Sequence, residues 1–305
     1  MRTTTVGPLG GMLVLAASGM LLAACGSSST ASTPTNPNKA RAAVLTAYHY
    51  VRHEKSVSFT GTISVTTNGG SISTSINGYA VAAGSGAKSI NAMLTETISI
   101  PGAARNLTIH QRIANGEIFE QIPASERGLT TLSGATWVQY PYTPKSTSEA
   151  ASSTQTYAVN PTATLQLLLG KGASQIKTLG KDAIDGHTTT EYEAQINFVK
   201  ELAQLKQSSN SSMLSKSLAG LNFDGPAQAK VWLDNSGRVR QLSLTIFASI
   251  TKTGSTPNLP LTITVSADYT HYGAHFPTIT APTSGVIPLS TFQADLAAAH
   301  PTTAS

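Results

Sequence analysis

Ser58-Phe59-Thr60-Gly61-Thr62-Ile63-Ser64-Val65 alternates apolar or small residues with hydroxyl residues at every step. A strand sends successive side chains to opposite faces, so this period of two predicts one dry face and one wet face. Asn68-Gly69-Gly70 follows as a turn. The alternation recurs through Ser71 to Val81, Ser89 to Ile100, Leu107 to Ile113 and Glu117 to Ile122, with Pro101-Gly102 and Asn115-Gly116 as turn signals. Such a run reads as an antiparallel meander. Trp137 to Tyr140 adds a short strand, and Thr143 to Thr156 is a Ser/Thr-rich segment expected to be a mobile loop. Further on, Ile176 to Leu179, His187 to Phe198, Ala229 to Leu233, Val239 to Ile250 and Leu261 to Tyr272 read as strands, with Asp234-Asn235-Ser236-Gly237 as a hairpin turn.

Helical signals are fewer. Ala43, Val44, Ala47, Tyr48 and Val51 recur at helical spacing between Ala40 and His53. Asn160-Pro161 supplies a cap and a first-turn proline for a helix from Thr162 to Leu169, closed by Gly170. Val199 to Leu221 reads as a polar-faced helix, Pro277 to Pro288 as an extended segment and Leu289 to Ala299 as a short terminal helix. About ten strands and three or four helices imply an α+β fold, a large curved antiparallel sheet with helices packed on its concave face.

Composition narrows the function. The chain has 305 residues, of which 11% are charged, with a formal net charge of +5. Its basic residues are scattered singly, without the patch or stripe that phosphate neutralisation requires, so a nucleic-acid partner is not expected. The mildly basic balance is compatible with an anionic membrane. The hydrophobic share of 40% indicates a folded chain.

The amino terminus sets the expected compartment. Arg2 is the sole charge before Lys39, and an apolar run extends from about Gly7 to Ala24. This is a signal-peptide layout. It ends in Leu22-Ala23-Ala24-Cys25-Gly26, which resembles the bacterial lipobox, and that resemblance implies removal of residues 1–24 and acylation of Cys25. An uncleaved span is the alternative, since about 18 apolar residues just cross a bilayer. Cys25 is the only cysteine, so no disulfide and no thiolate metal site is expected. Residues 25–38 combine that cysteine with a Ser/Thr/Pro-rich flexible stalk.

Four further stretches stand in order along the chain: Trp137-Val138-Gln139-Tyr140, Asp185 to Tyr192, Val231 to Val239, and Asp268 to Gly273 running into Ile279-Thr280-Ala281-Pro282. Behind a lipobox, this set resembles the actinobacterial LppX/LprG-type lipoproteins, themselves similar to the lipoprotein carrier LolA and the receptor LolB. The resemblance implies a half-barrel with helices inside it and an apolar cavity for acyl chains. On that view residues 39–288 form a LolA-like lipid-binding domain, and residues 289–305 a terminal helix and tail.

The dry-face residues Ile63, Val65, Leu94, Ile98, Leu107, Ile109, Ile118, Leu244 and Ile246 are the candidate lipid-binding set. Each methylene withdrawn from water contributes about 0.8 kcal/mol, so a modest cavity suffices for holding a lipid. The alternative is that the same nine residues fill an ordinary core, the commoner role of such residues position by position.

The chain contains no Gly-x-Ser-x-Gly, no P-loop and no dinucleotide fingerprint after a strand. His49 and His53 lack the rest of a His-Glu-x-x-His motif, and His271, His275 and Asp268 lack a further spaced ligand. Glu191 and Glu193 alternate on a wet face and read as surface charge. Neither an enzyme nor a cofactor or metal is expected. The expectation is an extracytoplasmic, membrane-anchored lipoprotein that carries a lipid or other apolar, lipid-linked ligand at the cell envelope. Its other partner would be the cell membrane, through acylated Cys25. The alternative is a non-catalytic sensor or interaction domain on the same scaffold, with an envelope protein as partner.

Overall fold

The computed structural model describes residues 36–82, 90–99, 106–115, 117–123, 134–141, 161–205, 221–250 and 259–299. Cys25, the apolar run before it and the segment 143–156 lie outside these residues. No helix among the described residues is long and apolar enough to cross a membrane.

The chain opens with α1 (Pro37–His53), followed by β1 (Ser56–Thr67), β2 (Gly70–Ala82), β3 (Ile90–Ser99), β4 (Leu107–Ala114), β5 (Glu117–Gln121) and β6 (Trp137–Pro141). Next come α2 (Pro161–Leu169), β7 (Lys177–Ile184), β8 (His187–Ile196) and α3 (Phe198–Leu205). The last part holds β9 (Leu221–Phe223), β10 (Ala227–Asp234), β11 (Val239–Ile250), β12 (Leu259–Thr270), β13 (Val286–Pro288) and α4 (Leu289–Ala299).

All thirteen described strands join one unclosed sheet in the order β13-β6-β5-β4-β3-β2-β1-β12-β11-β10-β8-β7, with β9 paired beside β11. Every pairing is antiparallel except β13 with β6. The fold is therefore α+β, a curved half-barrel. Its centre is the long pairing of β1 with β12, from Ser58↔Thr270 to Thr67↔Leu261. At the β2–β3 approach a side chain on Gly78 would place its Cβ 2.1 Å from the Met93 carbonyl oxygen, which is why the otherwise regular strand carries a glycine there.

Helices α1 and α2 pack against each other and onto β7, β8, β10 and β11. Ala40, Val44 and Ala47 of α1 and Leu165 and Leu168 of α2 join the inward residues of the sheet in one core. Two polar contacts tie the pair: Gln166 Nε2 donates to Tyr48 Oη at 3.0 Å, and Arg41 Nη2 donates to the Leu169 carbonyl at 2.7 Å. The other face of the sheet has a small core of its own. Residues 274–288 cross it, Ile279 packs with Ala114 and Phe119, and Phe276 stacks on Tyr79.

Several boundaries differ from the sequence reading. Helix α1 starts at Pro37, because Asn36 caps it by accepting from the Asn38 amide at 3.0 Å and proline suits the first turn. Helix α1 thus begins inside what was read as stalk. Strand β7 runs to Ile184, well beyond Leu179; its residues are mostly exposed, so apolar alternation could not mark it. In the region read as a helix from Val199 to Leu221, helix is described only for Phe198–Leu205, and Leu221 already belongs to β9. The extended segment 277–288 ends as β13, recruited by pairing with β6.

Candidate functional site

Directly opposed residues of antiparallel strands share a face, so the register decides which side chains line the inner wall. Ile63 of β1 lies opposite Val265, which lies opposite Leu244. Val65, Ile263 and Ile246 form the next row. From β1 the phase passes through Phe59↔Gly78 and Gly78↔Leu94, and then through Ile98↔Leu107 and Ile113↔Ile118. Ile109, two residues beyond Leu107, follows the same phase. All nine candidate residues therefore face inward. Ile63, Val65, Leu94, Ile98, Ile118 and Ile246 are buried, while Leu107, Ile109 and Leu244 are partly exposed.

The wall is not wholly apolar. Opposite Ile76 and Ile109 stands Glu96, and opposite Leu94 and Glu120 stands Gln111. Glu96 is fully buried, and desolvation, reinforced by the charge of Glu120, raises its carboxyl from an ordinary 4.5 to about 8. Gln111 Nε2 donates to Glu120 Oε2 at 3.4 Å. The sequence reading missed this group. Its signal was present, since Glu96 falls in phase with Leu94 and Ile98, and Gln111 with Ile109 and Ile113.

Among the described residues, two open cavities lie outside this wall. One of about 400 Å³ lies on the outer face between β5–β6 and the crossing segment, lined by Glu117, Phe119, Gln139 and residues 281–286. The other, about 150 Å³, sits at the β7–β8 edge beside Ser174, Lys177 and Glu193.

The quoted motifs resolve into structural devices. In the stretch from Val231 to Val239, Asp234 Oδ1 accepts from the Ser236 amide at 2.9 Å, Ser236 Oγ at 2.6 Å and the Arg238 amide at 3.0 Å. Its Oδ2 accepts from Arg240 Nε and Nη2, both at 2.7 Å. Burial alone would raise the Asp234 carboxyl, but these donors and the Arg240 charge hold it below the usual carboxylate range. Arg238 pairs with Glu54 at 3.0 Å, clamping the end of α1 to the hairpin. Tyr272 Oη donates to the Val239 carbonyl at 2.5 Å. In the stretch from Asp185 to Tyr192, Asp185 and Gly186 have φ of 48° and 75°, the left-handed pair that a tight hairpin turn needs.

The histidines do not converge. His49 and His53 are exposed, His271 follows the end of β12 with a φ of 52°, and His275 lies beyond the Tyr272-Gly273 turn, so His271 and His275 share no strand face. His271 Nδ1 is 3.0 Å from both Ser58 Oγ and Thr270 Oγ1. Among the described residues no group of three His, Cys, Asp or Glu side chains is placed to hold a metal.

No protein-family model and no curated protein matches the chain. Among solved structures it is similar to LprF from Mycobacterium bovis, with 12% identity over 82% of this chain and 99% of that one and a TM-score of 0.44. It is also similar to the lipoprotein LppX of Mycobacterium tuberculosis, with 13% identity over 79% and 98% of the two chains and a TM-score of 0.41. A LolA superfamily protein from Nitrosomonas europaea aligns at 10% identity over 79% and 97%, with a TM-score of 0.17.

Proposed function

We propose that the chain is a membrane-tethered extracytoplasmic lipoprotein whose inner wall binds a lipid or other apolar, lipid-linked ligand and carries it at the cell envelope. The observation that carries this reading is the extent of the wall. Aliphatic rows run from β6 through β1 to β8, whereas α1 and α2 make their main sheet contacts on β7, β8, β10 and β11. On β2–β5 most of these rows are already buried, and Leu107 and Ile109 keep the partial exposure at which an acyl chain would enter. Cys25 would supply the anchor. One acyl chain binds a membrane only marginally, so a diacylated cysteine is what such tethering requires.

The reading is tested by expressing residues 36–305 without the anchor and analysing the purified protein for bound lipid by mass spectrometry. Stoichiometric lipid is expected, and a lipid-free, folded protein overturns the carrier reading. The second reading, a non-catalytic sensor or interaction domain, is favoured by the position of the two cavities, which lie on the outer face and at an edge. It predicts a lipid-free domain that crosslinks to an envelope protein.

A further inference from the structure

One group of side chains in the inner wall has no part in the apolar lining or in the hairpin network. Glu96 and Gln111 are 0% and 1% exposed. Bonding through Nε2 to Glu120 fixes the amide of Gln111, and its Oε1, buried in the same wall, has no hydrogen-bond partner among the described residues. A buried carbonyl oxygen in that condition carries its full desolvation penalty, and native proteins keep few of them.

The group is rich in acceptors: one amide oxygen and two carboxyl groups. Among the described residues, no inward position of β2 to β6 is Lys, Arg or His. The basic residues of β4 belong to the opposite face, where Arg112 lies 4.8 Å from the Trp137 ring centroid and His110 Nδ1 is 3.1 Å from Thr95 Oγ1.

We infer that Glu96, Gln111 and Glu120 form a headgroup site in the inner wall that takes a primary ammonium, with the apolar tail of the same molecule lying along the adjoining aliphatic rows. An ammonium presents three donors and no acceptor, which matches one donor to each of the three side chains. The chemistry selects against a carboxylate or phosphate, for which the inward positions of β2 to β6 offer no Lys, Arg or His among the described residues. Ile76 and Ile109 flank Glu96, so a tail leaving the site meets apolar surface at once. This inference rests on the carrier reading and adds the ligand's polar end to it.

The test uses the full chain in neutral phosphatidylcholine nanodiscs, titrated with n-octylammonium, n-octanol and n-octanoate, with empty nanodiscs subtracted. The three probes share a tail and differ at the head. We expect octylammonium to bind at least ~10-fold more tightly than octanol, as charge-assisted hydrogen bonds would give, and octanoate to bind most weakly. Glu120→Gln and Gln111→Leu should each erase the preference and leave octanol binding in place. Circular dichroism checks folding, and if Gln111→Leu does not fold, Glu120→Gln alone decides. Equal binding of octanol and octylammonium, or a preference that survives Glu120→Gln, overturns the headgroup site while the carrier reading stands. Failure of all three probes to bind overturns both.

Discussion

Glu96→Gln should make the protein more stable at pH 8 and remove most of the pH dependence of its stability between pH 5 and pH 8. The carboxyl is fully buried and, through desolvation and the neighbouring Glu120, is raised from an ordinary 4.5 to about 8. In the unfolded chain the same group ionises near its ordinary value. Between those two values the folded state binds the additional proton, so stability falls as pH rises through that window and levels off above about 8. At about 1.36 kcal/mol per decade of pH, the loss across the window is of order 4 to 5 kcal/mol. Glutamine keeps the shape and removes the titration. Urea unfolding followed by the fluorescence of Trp137 and Trp232, at pH 5 and at pH 8, measures both proteins. The wild type should lose several kcal/mol more than the variant between the two conditions. Parallel losses in wild type and Glu96→Gln would refute the assignment of a buried, proton-retaining carboxyl.

Other outcomes follow from the same structure. Asp234→Ala strands the buried Arg240 guanidinium and opens the hairpin turn, and should cost about 3 to 5 kcal/mol in urea unfolding. Gly78→Ala forces a Cβ into the Met93 carbonyl and should cost about 1 to 3 kcal/mol in the same assay, whereas a substitution at the open turn position Gly225 meets no neighbour within 4 Å. Leu107→Trp, at a partly exposed position of the inner wall, should abolish lipid recovery by mass spectrometry while shifting the melting temperature little. On the lipoprotein reading, Cys25→Ser should abolish incorporation of labelled palmitate into the protein, since no other cysteine is present to be acylated.

The half-barrel was legible because most of its strands are wet on one face. Ser and Thr at every second position from Ser58 onward state the pattern without ambiguity, and all nine candidate residues fall on one face because a period of two leaves no freedom of phase within a strand. Strand β7 was mostly illegible for the opposite reason. It is an edge strand with few buried residues, and its lysines at 177 and 181 suit a protected edge rather than a dry face. Strands β9 and β13 are three residues each, too short for any period, and exist because β11 and β6 offer them partners. The start of α1 was marked by Asn36-Pro37, but the surrounding Thr, Pro and Asn residues read as stalk. In the candidate site, the aliphatic rows were found by their alternation, while Glu96, Gln111 and Glu120 were passed over because strand periodicity was scored for apolar residues alone. A charged residue standing in the apolar phase was the available signal.

The central pairing of β1 with β12 bears on how the chain reaches this form. Ser58 and Thr270, hydrogen-bonded across it, are 212 residues apart in sequence. Non-local pairing of this kind folds slowly, because the connecting loop must close before the contact rewards it. A chain emerging amino end first would hold one edge of its opening hairpin unfilled until nearly the last strand arrived. During that interval the long hairpin edge is open to strand addition from another copy, so synthesis speed and a holding chaperone would govern yield more than final stability does.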